Sequence, residues 1–279
     1  MNRLSNTERA KVVAVLVEGN SLRATARITG VARMTVEKIL RDLGTACEKF
    51  HNETVRNVRA NRIECDEIWS FVGSKQKNVP ASRVGLWGDV WTWTAIDPDS
   101  KLIVSYLVGA RDSGYAQVFM IDVADRLANR VQLTTDGHRV YLNAVADAFG
   151  NDIDFAMLEK HYGPTAEGQA PAAVRYSPAR LASTNRVYVS GSPDPTLVST
   201  SIVERQNLTM RMHMRRFTRL TNGFSKKIEN HAHAVAIHFA YYNFCKIHMS
   251  LRVTPAMEAG ISDRVWSVEE LVGLIDVQR

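Results

Sequence analysis

Three carboxylates stand where a divalent-metal site can be assembled. Asp66 lies in the middle of an alternating run, IECDEIWSFV. Asp136 follows the short β-branched stretch VQLTT and precedes Gly137 and a helical pattern. Glu204 falls in the first turn of a late helix, SIVERQNLTMRMH. In a twisted α/β sheet the middle of a first strand can lie beside the carboxyl end of its parallel neighbour. A helix packed across that edge brings a third acid close. Carboxylates so clustered repel one another unless they are protonated or neutralised by cations. Hard oxygen donors with open positions suit Mg²⁺, with Mn²⁺ as the alternative. Two such ions about 3.5–4 Å apart stabilise both the attacking and the leaving oxygen of an in-line phosphoryl displacement.

Each acid also has an ordinary structural role to weigh. Asp136 before a helix can be an N-cap. Ser201-Ile202-Val203-Glu204 matches a capping box, in which the Glu bonds back to the cap. Glu64 shares Asp66's strand face and is the substitute for it. His138, two residues after Asp136, and His248, near the end of the chain, are secondary candidates beside the acids. His231 and His238 share a helix face that His233 does not, so packed histidines are favoured over a metal site. Trp69, Trp87, Trp91 and Trp93 concentrate on the first strands. Most belong to the core, and one exposed ring could stack on an unpaired base.

The elements that would position these residues can be read in order. Residues 5–43 give three short helices, with Ser5 and Ser21 as caps and Gly19 and Gly30 as stops. The third runs to about Leu43. The second and third, joined across Gly30, form a helix-turn-helix pattern that presents Arg33, Thr35, Lys38 and Arg41. Residues 44–62 read as a linker or connecting helix. Three strands follow, two of them an antiparallel hairpin about Asp97-Pro98-Asp99-Ser100. Then come helix, strand, helix and strand. Pro164, Pro171, Pro178, Pro193 and Pro195 mark 161–200 as an insertion or loop, with RVYVS as a short strand inside it. Two helices complete the series. The expectation is a mixed α/β catalytic domain behind an all-α cap.

Charge is unevenly spread. The chain has 279 residues and a net charge of +6, from 35 basic and 29 acidic side chains. Residues 1–62 carry a net +6, residues 63–200 a net −4, and residues 201–279 a net +4. The stretch from Arg205 to Lys227 holds seven basic residues and no acid. That pattern suits phosphate contacts on either side of an acidic centre. No uninterrupted apolar run reaches the ~18 residues of a membrane span. The N-terminus lacks an apolar signal core. Cys47, Cys65 and Cys245 form no CxxC pair, so a reducing cytoplasm is expected.

The strings ECDEIWSFVGSK, LTTDGHRVY, SIVERQNLTMRMHMRRFTRLTNGFSKK and YYNFCKIHMSLRVTPAMEAG resemble the catalytic domain of DDE transposases of the insertion-sequence-one group, over roughly residues 60–260. The resemblance implies a ribonuclease-H-like fold and DNA strand transfer with two Mg²⁺ ions (or Mn²⁺). It places the three metal-binding acids on Asp66, Asp136 and Glu204, and a basic residue seven after the Glu on Arg211. Arg215 and Arg216 extend that basic face toward DNA. The N-terminal zinc finger common in the group has no matching cysteines here. The group's Arg-Pro pair before the terminal His is absent ahead of His248.

The resulting expectation is a prokaryotic, cytoplasmic enzyme that binds mobile-element ends and joins them to target DNA. It would act as at least a dimer, with no membrane association. Its expected domains are a helix-turn-helix at 1–46, a linker at 47–62, a catalytic domain at 63–250 and a tail at 251–279. Two rivals share its features: a metal-dependent nuclease or resolvase on the same fold, and a DNA-binding regulator with an inactive catalytic domain.

Overall fold

The computed structural model describes residues 4–163, 181–218 and 222–277. Three helices open the chain: α1 (Asn6–Val17), α2 (Leu22–Thr29) and α3 (Arg33–Thr54). The sheet strands are β1 (Arg62–Val72), β2 (Gly88–Ile96), β3 (Ile103–Gly109), β4 (Gln132–Asp136), β5 (Asp154–Tyr162) and β6 (Leu181–Ser190). Helix α4 (Ser113–Arg126) joins β3 to β4, and α5 (Val140–Phe149) joins β4 to β5. The later helices are α6 (Ser201–His213), α7 (Ile228–Ala240), α8 (Pro255–Glu258) and α9 (Val268–Val277).

The strands form one mixed sheet in the order β3-β2-β1-β4-β5-β6. The β1–β2, β2–β3 and β5–β6 pairs are antiparallel, whereas β1, β4 and β5 run parallel. One face packs Ile63, Cys65 and Trp93 against Phe119 and Val123 of α4 and Tyr141 and Val145 of α5. The other packs Ile68, Ile96 and Ile103 against Val203 and Met210 of α6 and Val235 and Phe239 of α7. Residues alternate along β1, so its two side-chain rows serve two different cores. The mixed α/β expectation and the hairpin about Asp97–Ser100 are met.

A third core is wholly helical. Val12, Val13, Ile39, Leu40 and Leu43 pack with Ala236, Ile237 and Ala240 of α7 and with Leu271, Val272 and Ile275 of α9. The segment expected as a tail therefore supplies a buried helix to the N-terminal cap. Ser5 and Glu8 form a capping box on α1, and Ser21 caps α2. Gly30, at φ 72°, turns the chain between α2 and α3. Helix α3 does not stop near Leu43. It continues to Thr54, through residue 46 and half of the expected linker. Gly44, a residue type that favours helix ends, is here a point of close packing. A Cβ there would lie 2.3 Å from the Cβ of His233 on α7.

The segment 161–200 is partly sheet. His161 and Tyr162 end β5, and β6 adds a ten-residue edge strand, longer than the expected RVYVS. Its side chains are almost all exposed, so no alternation marks it in the sequence. Residues 164–180 of the expected insertion lie outside the described residues. Among the described residues, no helix is long and apolar enough to cross a membrane.

Candidate active site

The pairing of β1 with β4 sets the site. Cys65 pairs with Thr135, so the next residues along, Asp66 and Asp136, stand side by side where β4 ends. Carboxylate oxygens of Asp66, Asp136 and Glu67 lie within 4.8 Å of one another. Two of the three expected acids are thus brought together, and the third member of the group is Glu67. Strand alternation assigns Glu67 to the α4/α5 face, opposite Asp66. Beyond Asp136 the fourth strand is finished, and both side-chain rows reach the same open edge.

Asp66 accepts a hydrogen bond from its neighbour's backbone, Glu67 N–H, at 2.8 Å, and one from Asn207 Nδ2 on α6 at 2.8 Å. Burial, then the charge of Asp136, raise its pKa to about 6, and Glu204 adds to the rise. Glu67 is pushed up to about 7 by burial and then by Asp136, against the opposing influence of Tyr141 and Arg111. Asp136 accepts the His138 backbone N–H at 3.0 Å, which makes it a local turn acceptor as well as a cluster member. Arg111 bridges the group, with Nε 3.2 Å from Glu67 and a terminal nitrogen 3.4 Å from Asp136.

Glu204 is not in the 4.8 Å group. Its carboxylate is exposed, paired with Lys160 of β5, and accepts Thr200 Oγ1 at 2.7 Å. The expected capping box at Ser201 does not form. Helix α6 begins one residue earlier than that motif requires, with Thr200 at the N-cap position and no cap from its own side chain. Glu64 supplies the cap from the sheet instead. One of its carboxylate oxygens accepts the N–H groups of Ile202 at 2.8 Å and Val203 at 3.0 Å. A carboxylate at a helix N-terminus also meets the positive end of the helix dipole. Glu64 therefore fixes the helix that carries Glu204 and Asn207 and does not join the acid group.

The His138 and Tyr141 rings lie perpendicular with centroids 6.4 Å apart, and burial followed by Arg111 lowers the His138 pKa. His248 bonds to Ser250 at 3.0 Å, and burial, then Lys101 in the β2–β3 turn, lower its pKa. His231 is buried between Ser70 at 3.3 Å and Ser225 at 3.2 Å, and His238 is buried too. Both are held down to about 3, chiefly by burial, as packed neutral histidines are. The tryptophans differ from expectation, because only Trp93 of the four is fully buried. Trp69, Trp87 and Trp91 are half-buried and carry Lys75, Arg83 and Arg111 over their rings, at 5.5, 5.2 and 4.7 Å.

The basic residues converge elsewhere. A cleft of about 800 Å³ opens between the N-terminal helices and the chain that follows α6. Arg23, Arg33, Arg215, Arg216, Lys226 and Lys227 line it, with Glu37 as the acid among its described residues. Arg33 is shared with Glu37 at 3.6 Å. Thr35, Lys38 and Arg41 do not line the cleft, and Lys38 pairs with Asp42 on its own helix. Arg216 donates to Ser225 at 3.0 Å, and burial lowers its pKa to about 10. Arg211 lies half-buried in the last turn of α6.

An all-oxygen group of three acids, two with raised pKa values, fits a hard divalent cation. Such an ion would relieve the repulsion that burial and neighbouring charge create. Among the described residues no other group of His, Cys, Asp and Glu meets the same distance criterion.

No family model matches the chain, and no curated relative does. Among solved structures it is weakly similar to a Mos1 transposase paired-end complex with left transposon end, at 14% identity and TM-score 0.25. That overlap covers 56% of this chain and 60% of the Mos1 chain, less than two-thirds of the latter's length. A Mos1 strand transfer complex overlaps 85% of this chain and 76% of its own, at 13% identity and TM-score 0.25. A piggyBac transposase synaptic complex with hairpin DNA overlaps 98% of this chain and 71% of its own, at 12% identity and TM-score 0.39. Overlaps this weak establish no family.

Proposed function

We propose that this chain is a DNA transposase of the DDE type, with a ribonuclease-H-like catalytic domain and an N-terminal helix-turn-helix. The observation that carries the reading is the β1–β4 register, which sets Asp66 beside Asp136, with Glu204 close enough for its charge to be felt at Asp66. The strand order, an antiparallel hairpin continued by three parallel strands, suits that fold. The sequence resemblance supports it independently.

In this reading Asp66, Asp136 and Glu204 bind the divalent ions, Mg²⁺ or Mn²⁺, which when bound neutralise the acids and polarise the reacting phosphate. Glu67 completes the acid group. Glu64 and Asn207 hold α6 in place against β1, so that Glu204 is presented at the strand edge. Element-end DNA lies along the basic cleft, with Arg33 on one wall and Arg215, Arg216 and Lys227 on the other. Its phosphates bind there by charge and the exchange is salt-dependent. Arg211 continues that basic face toward the acids. Joining two ends requires at least two copies of the chain.

The test is strand transfer. Pre-cut DNA carrying the sequences that flank the coding region is incubated with protein, Mg²⁺ and a target plasmid. Covalent joining by the wild type, lost in Glu204→Gln and Asp136→Asn, is the expected result. Hydrolysis without joining would assign a nuclease. Specific binding with neither reaction would assign a regulator.

A further inference from the structure

The acid group already contains a cation of its own. Arg111 lies in the loop between the end of β3 at Gly109 and Asp112, the N-cap of α4. Its guanidinium reaches Glu67 and Asp136 together and rests on the Trp91 ring at 4.7 Å. Glu204, outside the group, is matched separately by Lys160. Among the described residues the donors to Asp66 are neutral, the Glu67 N–H and the Asn207 amide. One guanidinium therefore faces three formal negative charges and leaves most of them uncompensated.

We propose that Arg111 is a resident counter-cation of the acid group, which a divalent ion must displace in order to bind. The proposal rests on the reading of this group as a metal site. Two features make displacement feasible. The Arg111 side chain is 32% exposed, so it can swing toward water. Trp91 offers its charge a second resting place on an aromatic face, so the guanidinium can leave the carboxylates without losing every partner. The Glu67 side chain is fully buried, so it cannot follow. Arg111 thus keeps the empty site from carrying its full repulsion, at the expense of metal affinity.

The measurement is calorimetric titration of metal-free protein with Mn²⁺, using wild type, Arg111→Gln and Arg111→Lys. Parting a unit positive charge from a carboxylate held 3.2–3.4 Å away costs about tenfold in affinity, even in a water-like dielectric. Arg111→Gln is therefore expected to bind Mn²⁺ about tenfold more tightly than wild type, and Arg111→Lys to bind like wild type. The gap between Gln and wild type should narrow at high salt. Arg111→Gln should also melt lower without metal and gain more from it. A purely structural arginine would give the opposite sign, weaker binding in the Gln variant. Equal or weaker binding by Arg111→Gln, with wild-type binding intact, overturns the proposal. If wild type binds no Mn²⁺ and Asp136→Asn is indistinguishable from it, the metal-site reading falls as well.

Discussion

Asp66→Asn should make the metal-free protein more stable while removing its chemistry. The folded Asp66 has a pKa of about 6 against an ordinary 3.8, because burial and Asp136 oppose its charge. At pH 8 the group is ionised in both the folded and the unfolded chain. Holding the charge in the folded state then costs about 3 kcal/mol, at about 1.4 kcal/mol per pKa unit. The amide keeps the shape of the side chain and discards the charge. Its oxygen can still accept the Glu67 N–H, and Asn207 has an unpartnered buried Oδ1 that an amide rotation would turn toward the new NH₂. At about 2.1 cal/mol/K per residue, unfolding this chain carries an entropy near 0.6 kcal/mol/K, so the ceiling is a rise of about 5 °C in Tm. The assay is thermal unfolding in chelator, at pH 8 and again at lower pH. A raised acid pKa means that the folded state binds the proton more tightly. Wild-type stability therefore increases as pH falls through 6, and Glu67 at about 7 contributes in the same direction. The advantage of Asp66→Asn should accordingly shrink below pH 6 and vanish near pH 4. Saturating Mg²⁺ should stabilise the wild type and not the variant. An Asp66→Asn protein that melts below wild type at pH 8 would refute the reasoning.

Two further outcomes follow from the packing. Glu64→Ala strands the N–H groups of Ile202 and Val203 at the start of α6 and should cost about 1–2 kcal/mol, or roughly 2–3 °C in Tm. Glu64→Gln, which keeps an accepting oxygen, should fall between, and a Glu64→Ala protein as stable as wild type would remove Glu64's anchoring role. Gly44→Ala, which in an exposed helix would stabilise by about 1 kcal/mol, should here cost about 1–3 kcal/mol because the new Cβ meets His233. Urea denaturation decides the sign.

Much of this was legible in the chain. Asp66 in mid-strand and Asp136 at a strand end could be joined on paper, because parallel strands in register leave few other arrangements. The capped starts of α1 and α2 were legible because caps are local. What was not legible depends on contacts between distant residues. Strand alternation puts Glu67 on the face opposite Asp66, and only the end of β4 beside it lets its carboxylate join the group. Glu64 looked like a spare catalytic acid until α6 arrived to use it as a cap. Gly44 signals a helix end in a local reading, and only His233, far along the chain, shows it to be a place where two helices touch. Arg111 sits in a loop with no pattern around it, and nothing local links it to acids on two separate strands. Edge strand β6 was hidden for the reverse reason: with both faces in solvent, it has no hydrophobic alternation to display.

Helix α7 belongs to two cores at once. Val235 and Phe239 face the sheet, while Ala236, Ile237 and Ala240 face the N-terminal helices. The α3–α7 contact at Gly44 is too close to slide. The two halves are thus geared together through one shaft, with no slack linker between them. If, as proposed, the chain grips DNA on one half and cuts on the other, the interval between recognition sequence and cut is a length built into protein. About five extra base pairs, half a helical turn, would carry the scissile phosphate to the far side of the duplex. Such a chain would accept element ends of one spacing and reject those half a turn longer, so its architecture would be written into the sequences it moves.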